Sequence, residues 1–359
     1  MTVIGILTPW QAEARFPAYY RQFVSAGREA GARVFLIVPP EGGRFAEGAW
    51  RGYALAGNGW APVPIPKPDI VINRFGRFLR SPAELEDYYR FREEAGVPFA
   101  NRIVNDKMHL MRKLRQAPGV GGQLPDTEEF SAEALREWLS RYDLVYVKPI
   151  NGTGGRGVYR IERERDGKYR LFGHDVHRRN PVSDACGLDA AVDRMTDAAK
   201  DGGYLVQQGV DLRLLPERNC DLRLLLQKEN GAWRATGTAV RVGRKGSPVS
   251  NLHGGGTGHR SEPFLTERFG KRRCKQILQE CERLALAAAR AIEANYGRML
   301  ELGFDLGIDT KGKVWLIEVN TMPQRDLFKV TGQHETYRLA FARPIREAVR
   351  LAKAEAGKG

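Results

Sequence analysis

Residues 300–320 of this 359-residue chain, "LELGFDLGIDTKGKVWLIEVN", bring together side chains able to do chemistry. Apolar runs flank Lys311-Gly312. If those two residues form the loop of a β-hairpin, Asp305 faces Glu318 across the ladder, and Asn320 follows two positions along on the same face. Oxygen-bearing side chains among Phe304, Leu306, Ile317 and Val319 are costly to bury unless something satisfies them. Either Mg²⁺ does so, taking a few carboxylate oxygens and completing its octahedron with phosphate and water, or the face is solvated. The same stretch contains G-x-x-x-x-G-K at 307–313, but Val314 follows inside a hairpin, where a phosphate loop needs Ser or Thr and a helix.

A second candidate is "YVKPINGTGGRGVYRI", residues 146–161. Lys148 ends a strand, where an unpaired ammonium is expensive and a phosphate partner removes the cost. Gly152, Gly154 and Gly157 spell G-x-G-x-x-G, with Gly155 between them. A dinucleotide fingerprint requires a helix after the motif. Here Val158, Tyr159 and Ile161 lead into the turn "RDGKY" and another strand-like run, so the loop joins strand to strand. A glycine-rich phosphate lid remains. Further on, Asp221 and Arg223 share a strand face, as a phosphoryl clamp or as an exposed ion pair. Arg241 ends the neighbouring strand, and "SNLHGGG" (250–256) is a flexible, donor-rich segment. His174 and His177 lack a carboxylate pattern for metal, and Cys274 and Cys281 share a helix face as packing residues. Arg74, Arg77 and Arg325 either face a cleft and favour an acidic acceptor or are surface arginines.

The elements that must position these residues read as α/β. Strands "TVIGILT", "RVFLIVPP" and "DIVINRF" alternate with helices "FPAYYRQFVSAGREAG" and "SPAELEDYYRFREEAG", the latter with Ser81 as N-cap and Pro82 in its first turn. The stretch 41–68 between them is Gly- and Pro-rich. A second unit opens with helix "NDKMHLMRKL" and contains strand 143–149, the lid, hairpin 157–173, helix 188–200 and strand 204–210. A third contains the strand pair "CDLRLLLQ" and "WRATGTAVRV", an amphipathic helix over 267–295 and the 300–320 hairpin.

The bulk numbers are those of a soluble globular protein, 42% hydrophobic and 28% charged, with a net charge of +14. Apart from "RFGRFLR" (74–80) and "GKRRCK" (270–275) the cations are scattered, and no nucleic-acid module is recognisable, so nucleic acid is disfavoured as a partner. Nucleotide phosphates and a carboxylate-rich substrate suit the charge equally well. No apolar run approaches the ~20 residues of a membrane span. "MTVIGILTPW" reads as a buried strand rather than a signal peptide, and four cysteines without C-x-x-C fit a reducing, cytoplasmic setting.

In order, these parts are a lysine at a helix start, a lysine before a glycine-rich hairpin lid, D-x-R, N-x-x-G-G and D…E-x-N. This order, over about 101–325, resembles the ATP-grasp superfamily, and its segments look most like the spore-coat-associated YheC/YheD-type branch. The resemblance implies an ATP-grasp fold behind an N-terminal Rossmann-like pre-ATP-grasp domain: 1–100 the first domain, 101–205 the N-lobe with the lid, 206–355 the C-lobe with the metal-binding hairpin. It implies ATP contacts at Lys107, Lys148, Asn151, Gly152, Gly154, Gly155 and Gly157, with Gln207, Gln208 and Val210 on the adenine edge. Asp305, Glu318 and Asn320 would hold one or two Mg²⁺, or Mn²⁺ in its place. Arg223, Arg241 and Asn251 would be catalytic, and Asp211 is a candidate for the ribose. The implied activity is an ADP-forming carboxylate–amine ligase working through an acyl phosphate, on an amino acid or acidic peptide and an amine. The alternatives are an ATP-grasp kinase for a non-carboxylate acceptor and a non-catalytic scaffold of the spore coat, with coat proteins as partners.

Overall fold

The computed structural model describes residues 1–9, 16–39, 50–75, 82–104, 107–150, 155–174, 184–200, 202–250 and 252–357. The N-terminal elements are β1 (Thr2–Leu7), α1 (Tyr20–Glu29), β2 (Ala32–Ile37), β3 (Arg51–Ala56), β4 (Gly59–Pro64), β5 (Ile70–Asn73), α2 (Pro82–Ala95) and β6 (Phe99–Ala100). They form one sheet in the order β4-β3-β2-β1-β5-β6, parallel from β2 to β6. The near-continuous apolar runs of β1, β2 and β5 follow from helices covering both faces. The Gly- and Pro-rich 41–68 stretch contributes the antiparallel hairpin β3–β4, which sequence pattern alone missed; its Gly57-Asn58 turn was the available signal. Ser81 lies outside the described residues.

Next come α3 (Lys107–Gln116), β7 (Thr127–Glu129), α4 (Ala132–Arg141), β8 (Leu144–Pro149), β9 (Tyr159–Arg163), β10 (Tyr169–Gly173), β11 (Ala185–Cys186), α5 (Leu188–Ala199) and β12 (Tyr204–Gln208). Their sheet runs β11-β10-β9-β8-β12-β7. Val145, Val147, Ile161 and Val206 pack one of its faces onto α4 and α5, leaving the other to alternate residues such as Tyr146, Lys148 and Arg160.

The third sheet runs β15-β14-β13-β16-β17. Its strands are β13 (Cys220–Glu229), β14 (Ala232–Val242), β15 (Thr257–Arg260), β16 (Glu301–Ile308) and β17 (Val314–Asn320), joined by α6 (Ser261–Tyr296). Leu222, Leu224, Phe304, Leu306 and Leu316 cover α6, with Leu110 and Leu114 of α3 in the same core. The helix begins earlier than its amphipathic pattern predicts and is broken at Gly270, whose φ of 76° is non-helical. Cys274 and Cys281 are buried in this core, in line with the packing reading. After α7 (Asp326–Val330), the last helix α8 (His334–Ala356) returns to the first sheet, where Phe341 and Ile345 pack with β1 and α1.

Candidate active site

The β13 sequence "CDLRLLLQ" alternates, so Leu222, Leu224 and Leu226 enter the core while Asp221, Arg223 and Leu225 lie on the opposite face. Strand pairing then assembles a row across neighbouring strands: Ala239 of β14, Arg223 of β13, Asp305 of β16, Glu318 of β17. The adjacent row holds Arg241, Asp221 and Gly307, and on the other side Leu225, Gly303 and Asn320 continue the face. The D-x-R, the second arginine and the D…E-x-N residues thus occupy one patch. Gly303 keeps it low, since a Cβ there would stand 2.8 Å from Cβ of Pro323.

The hairpin reaches this arrangement differently from the expected two-residue loop. Asp309 N–H donates to Lys313 O at 3.0 Å and Gly312 N–H to Asp309 O at 2.9 Å, closing a longer turn with Gly312 at φ 81°. One Asp309 carboxylate oxygen accepts from the amides of Lys311 and Lys313, and the other from Trp315 Nε1. Beside this turn the register is one residue short of the expected one. A bulge restores it: Leu306 pairs with Leu316 but Asp305 with Glu318, leaving Ile317 extra. Without the bulge, alternation from the buried Val314 and Leu316 would send Glu318 into the core. The two departures cancel, so the expected Asp305–Glu318 pair holds although the assumed turn does not.

Charges on the patch are tightly interlocked. Asp305 accepts from Arg223 Nε at 2.5 Å through Oδ1, and through Oδ2 from Arg241 Nη2 at 2.9 Å and Asn320 Nδ2 at 3.3 Å. Arg241 also grips Asp221 with Nε at 2.7 Å and again through Nη2. Burial pushes the Asp305 carboxyl up, but Arg223 and Arg241 outweigh it and hold it at about 2. Burial likewise opposes the Arg241 charge, yet Asp221 and Asp305 drive its pKa up. Three carboxylates, Asp221, Asp305 and Glu318, face two guanidiniums.

On the second sheet, Lys148 Nζ donates to Gln207 Oε1 at 2.8 Å, and Gln207 Nε2 to Thr127 Oγ1 at 2.8 Å. Gln207 pairs with Tyr146 and so lies on the face of Lys148, whereas Gln208 points the other way, its Oε1 accepting from Asp126 N–H at 3.2 Å. Val210 is buried. Gly155 and Gly157 adopt φ of 72° and 68°. Asn151, Gly152, Gly154, Asn251 and His177 lie outside the described residues; Lys107 is the first residue of α3, and its side chain also lies outside them.

Three neighbouring groups make contacts that the sequence did not reveal. The ribose candidate Asp211 is engaged by Arg213, through Nε at 2.7 Å and Nη2 at 2.9 Å, and Arg213 bridges on to Glu162 of β9 at 3.0 Å. Arg160, buried on β9 with its guanidinium 4.9 Å from the Phe172 ring centre, pairs with Glu162. Its sequence signal was only an outward position in an alternating strand. Arg74 and Arg325, expected in a cleft or on the surface, are buried around the fully buried Glu301, which sequence reading overlooked. Both also donate to Pro323 O at 3.2 Å, beside Gly303. They therefore give no support to an acidic acceptor; Arg77 lies outside the described residues.

Comparison with known proteins agrees with this architecture. Residues 96–351 match the family model described as YheC/D like ATP-grasp. The chain is 27% identical over 343 residues to the endospore coat-associated protein YheD of Bacillus subtilis, covering 93% of this chain and 74% of that protein. Against the endospore coat-associated protein YheC of the same organism it is 24% identical, covering 76% and 75%. Among solved structures, D-alanyl-alanine synthetase A from Vibrio cholerae superposes with a TM-score of 0.51 at 14% identity, over 96% of this chain and 98% of that one. The D-alanine-D-alanine ligase of Coxiella burnetii gives 0.52 at 12% identity, over 100% and 99%. The ATP-grasp ligase PsnB, complexed with a phosphomimetic variant of its minimal precursor, Mg and ADP, gives 0.52 at 13%, over 96% and 98%. With most of its length matched by the family model and the fold shared with these ligases, the chain belongs to the YheC/D-like ATP-grasp family.

Proposed function

We propose that the protein is an ATP-dependent, ADP-forming carboxylate–amine ligase. The observation that carries this reading is the single patch in which Arg223 and Arg241 meet Asp305, Glu318 and Asn320 across adjacent strands. Phosphoryl transfer asks a protein mainly for positioning and charge neutralisation, and the patch offers both. Two carboxylates and a carboxamide are hard oxygen donors suited to Mg²⁺, which is commonly held by one or two carboxylates plus phosphates. Nucleotide phosphates and water would complete the shell of a cation held there. Mg²⁺ held there supplies charge neutralisation at the phosphates.

In this reading Lys107, Lys148 and the loop from Asn151 through Gly157 bind the phosphates and exclude water. Gln207 and Val210 line the adenine edge, and Gln208 contributes its main chain. The substrate carboxylate attacks the γ-phosphorus, ADP leaves, and Arg223 and Arg241 neutralise the transferred phosphoryl group, with Asn251 shaping the acyl-phosphate pocket. An amine then attacks the acyl carbon and inorganic phosphate leaves. PsnB is a ligase complexed with a precursor, and the D-alanine ligases join amino acids, which supports an amino acid or peptide acid here. The names of the Bacillus relatives support a place at the spore coat, with coat proteins as partners.

The test is incubation with Mg-ATP, hydroxylamine and a panel of amino acids and acidic peptides, reading ADP and hydroxamate by mass spectrometry. Hydroxamate with ADP, lost in Lys148→Ala, is expected. ADP with a phosphorylated acceptor and no hydroxamate would replace the ligase with a kinase. Absence of Mg-ATP binding would leave a non-catalytic scaffold.

A further inference from the structure

In the observed arrangement Asp305 is shared between two arginines, and a metal would have to compete with them for it. Both its oxygens accept from guanidiniums, Oδ1 from Arg223 at 2.5 Å and Oδ2 from Arg241 at 2.9 Å. A divalent cation at Asp305 competes with both guanidiniums for its oxygens and repels their charge. The two are not equally prepared. Arg241 has a second carboxylate, Asp221, directly opposite it across the β13–β14 ladder and bonded through both Nε and Nη2. Among the described residues, Arg223 hydrogen-bonds Asp305 and no second carboxylate. Asp221 is itself only about 10% exposed and Arg241 about 9%, so water is a poor substitute partner for either.

We propose that Asp221 is a positioning residue that retains Arg241 on the sheet while Asp305 is exchanged from arginine to metal. Arg223 has no such anchor among the described residues. This inference rests on the metal assignment of the preceding section. It makes Asp221 a determinant of metal affinity although it is not a ligand: without its charge, Arg241 has Asp305 as its remaining carboxylate and competes harder with the cation.

The experiment measures Mn²⁺ binding in the presence of ADP, by the electron paramagnetic resonance signal of free Mn²⁺, so that turnover is not needed. Asp221→Asn should weaken binding by about tenfold, the scale seen when a group supporting a ligand is lost. Loss of a nearby negative charge could weaken binding without any exchange, and Arg241→Met separates the two causes. If Asp221 acts through Arg241, the double variant binds Mn²⁺ as tightly as Arg241→Met alone. A full Asp221→Asn penalty persisting without Arg241 overturns the proposal. Asp221→Glu, which keeps the carboxylate, should remain near the wild type. Where Asp221→Asn fails to fold, Arg241→Met carries the test: removing the rival must tighten Mn²⁺ binding, and unchanged affinity overturns the exchange. Glu318→Gln keeps the two levels apart. Binding indifferent to Glu318 refutes the metal site itself; Glu318-dependent binding with no effect of Asp221→Asn refutes only the exchange.

Discussion

Replacing Glu301 by glutamine changes one atom and should destabilise the protein severely. The carboxylate is fully buried, and each contact it makes is with a donor: Arg74 on Oε1, Arg325 and Gln227 Nε2 on Oε2, the last at 2.9 Å. A glutamine has one acceptor and one NH₂ at these positions, so in either orientation a donor faces a donor. The substitution also leaves two buried guanidiniums without their carboxylate, and Arg74 Nε already has no partner among the described residues. Breaking a buried pair in this way costs about 3 to 5 kcal/mol. Against a total stability of roughly 5 to 15 kcal/mol, that is a large fraction. Urea unfolding followed by tryptophan fluorescence reports on both parts that the cluster joins, since Trp50 and Trp60 accompany the first sheet and Trp233 and Trp315 the third. The sharper form of the test removes every charge at once. Arg74→Met, Glu301→Leu and Arg325→Met together should cost much less than Glu301→Gln alone, because apolar groups of similar size carry no unpaired charge. A Glu301→Gln protein within about 1 kcal/mol of the wild type would mean that water reaches the cluster, and would refute the reasoning.

The remaining expectations concern the site and its supports. Arg223→Gln should lower turnover on the order of 100-fold in the hydroxamate assay, as loss of one transition-state donor does, with folding preserved by circular dichroism. Gly312→Ala should cost about 1 to 2 kcal/mol in urea unfolding, since φ is 81° and the new Cβ would stand 3.1 Å from Arg273 Nε. Glu347 is buried on α8; burial raises its pKa, but Arg350 and the Gly231 amide outweigh that and hold it below the ordinary 4.5. A depressed carboxylate stabilises above its unfolded pKa and loses that contribution as pH falls through the folded one. Glu347→Gln should therefore cost stability fully above about pH 5, with the gap to the wild type shrinking on acidification below pH 4.5. A gap independent of pH would refute the charge-based account.

Local pattern carried much of this protein. The strand-to-strand setting of the glycine loop, the D-x-R alternation and the E-x-N spacing were legible because β-strand side chains repeat every two residues. The same rule puts Gln207 and Gln208 on opposite faces, but which of them shares the face of Lys148 was decided by the ladder with β8. The β3–β4 hairpin escaped notice because glycines and prolines obscure its alternation.

What the sequence determined by itself is therefore the strands that carry the site and the order of chemical parts, each of which depends on neighbours within a few residues. Tertiary structure decided which charges meet. The Ile317 bulge turns Glu318 out of the core, the β13–β14 register joins Asp221 to Arg241, and Arg74 reaches Glu301 from 227 positions away. Such pairings depend on strand order and on burial, where low dielectric makes partnership obligatory. A single arginine in a sequence does not reveal whether a phosphate, water or a distant carboxylate will be its partner.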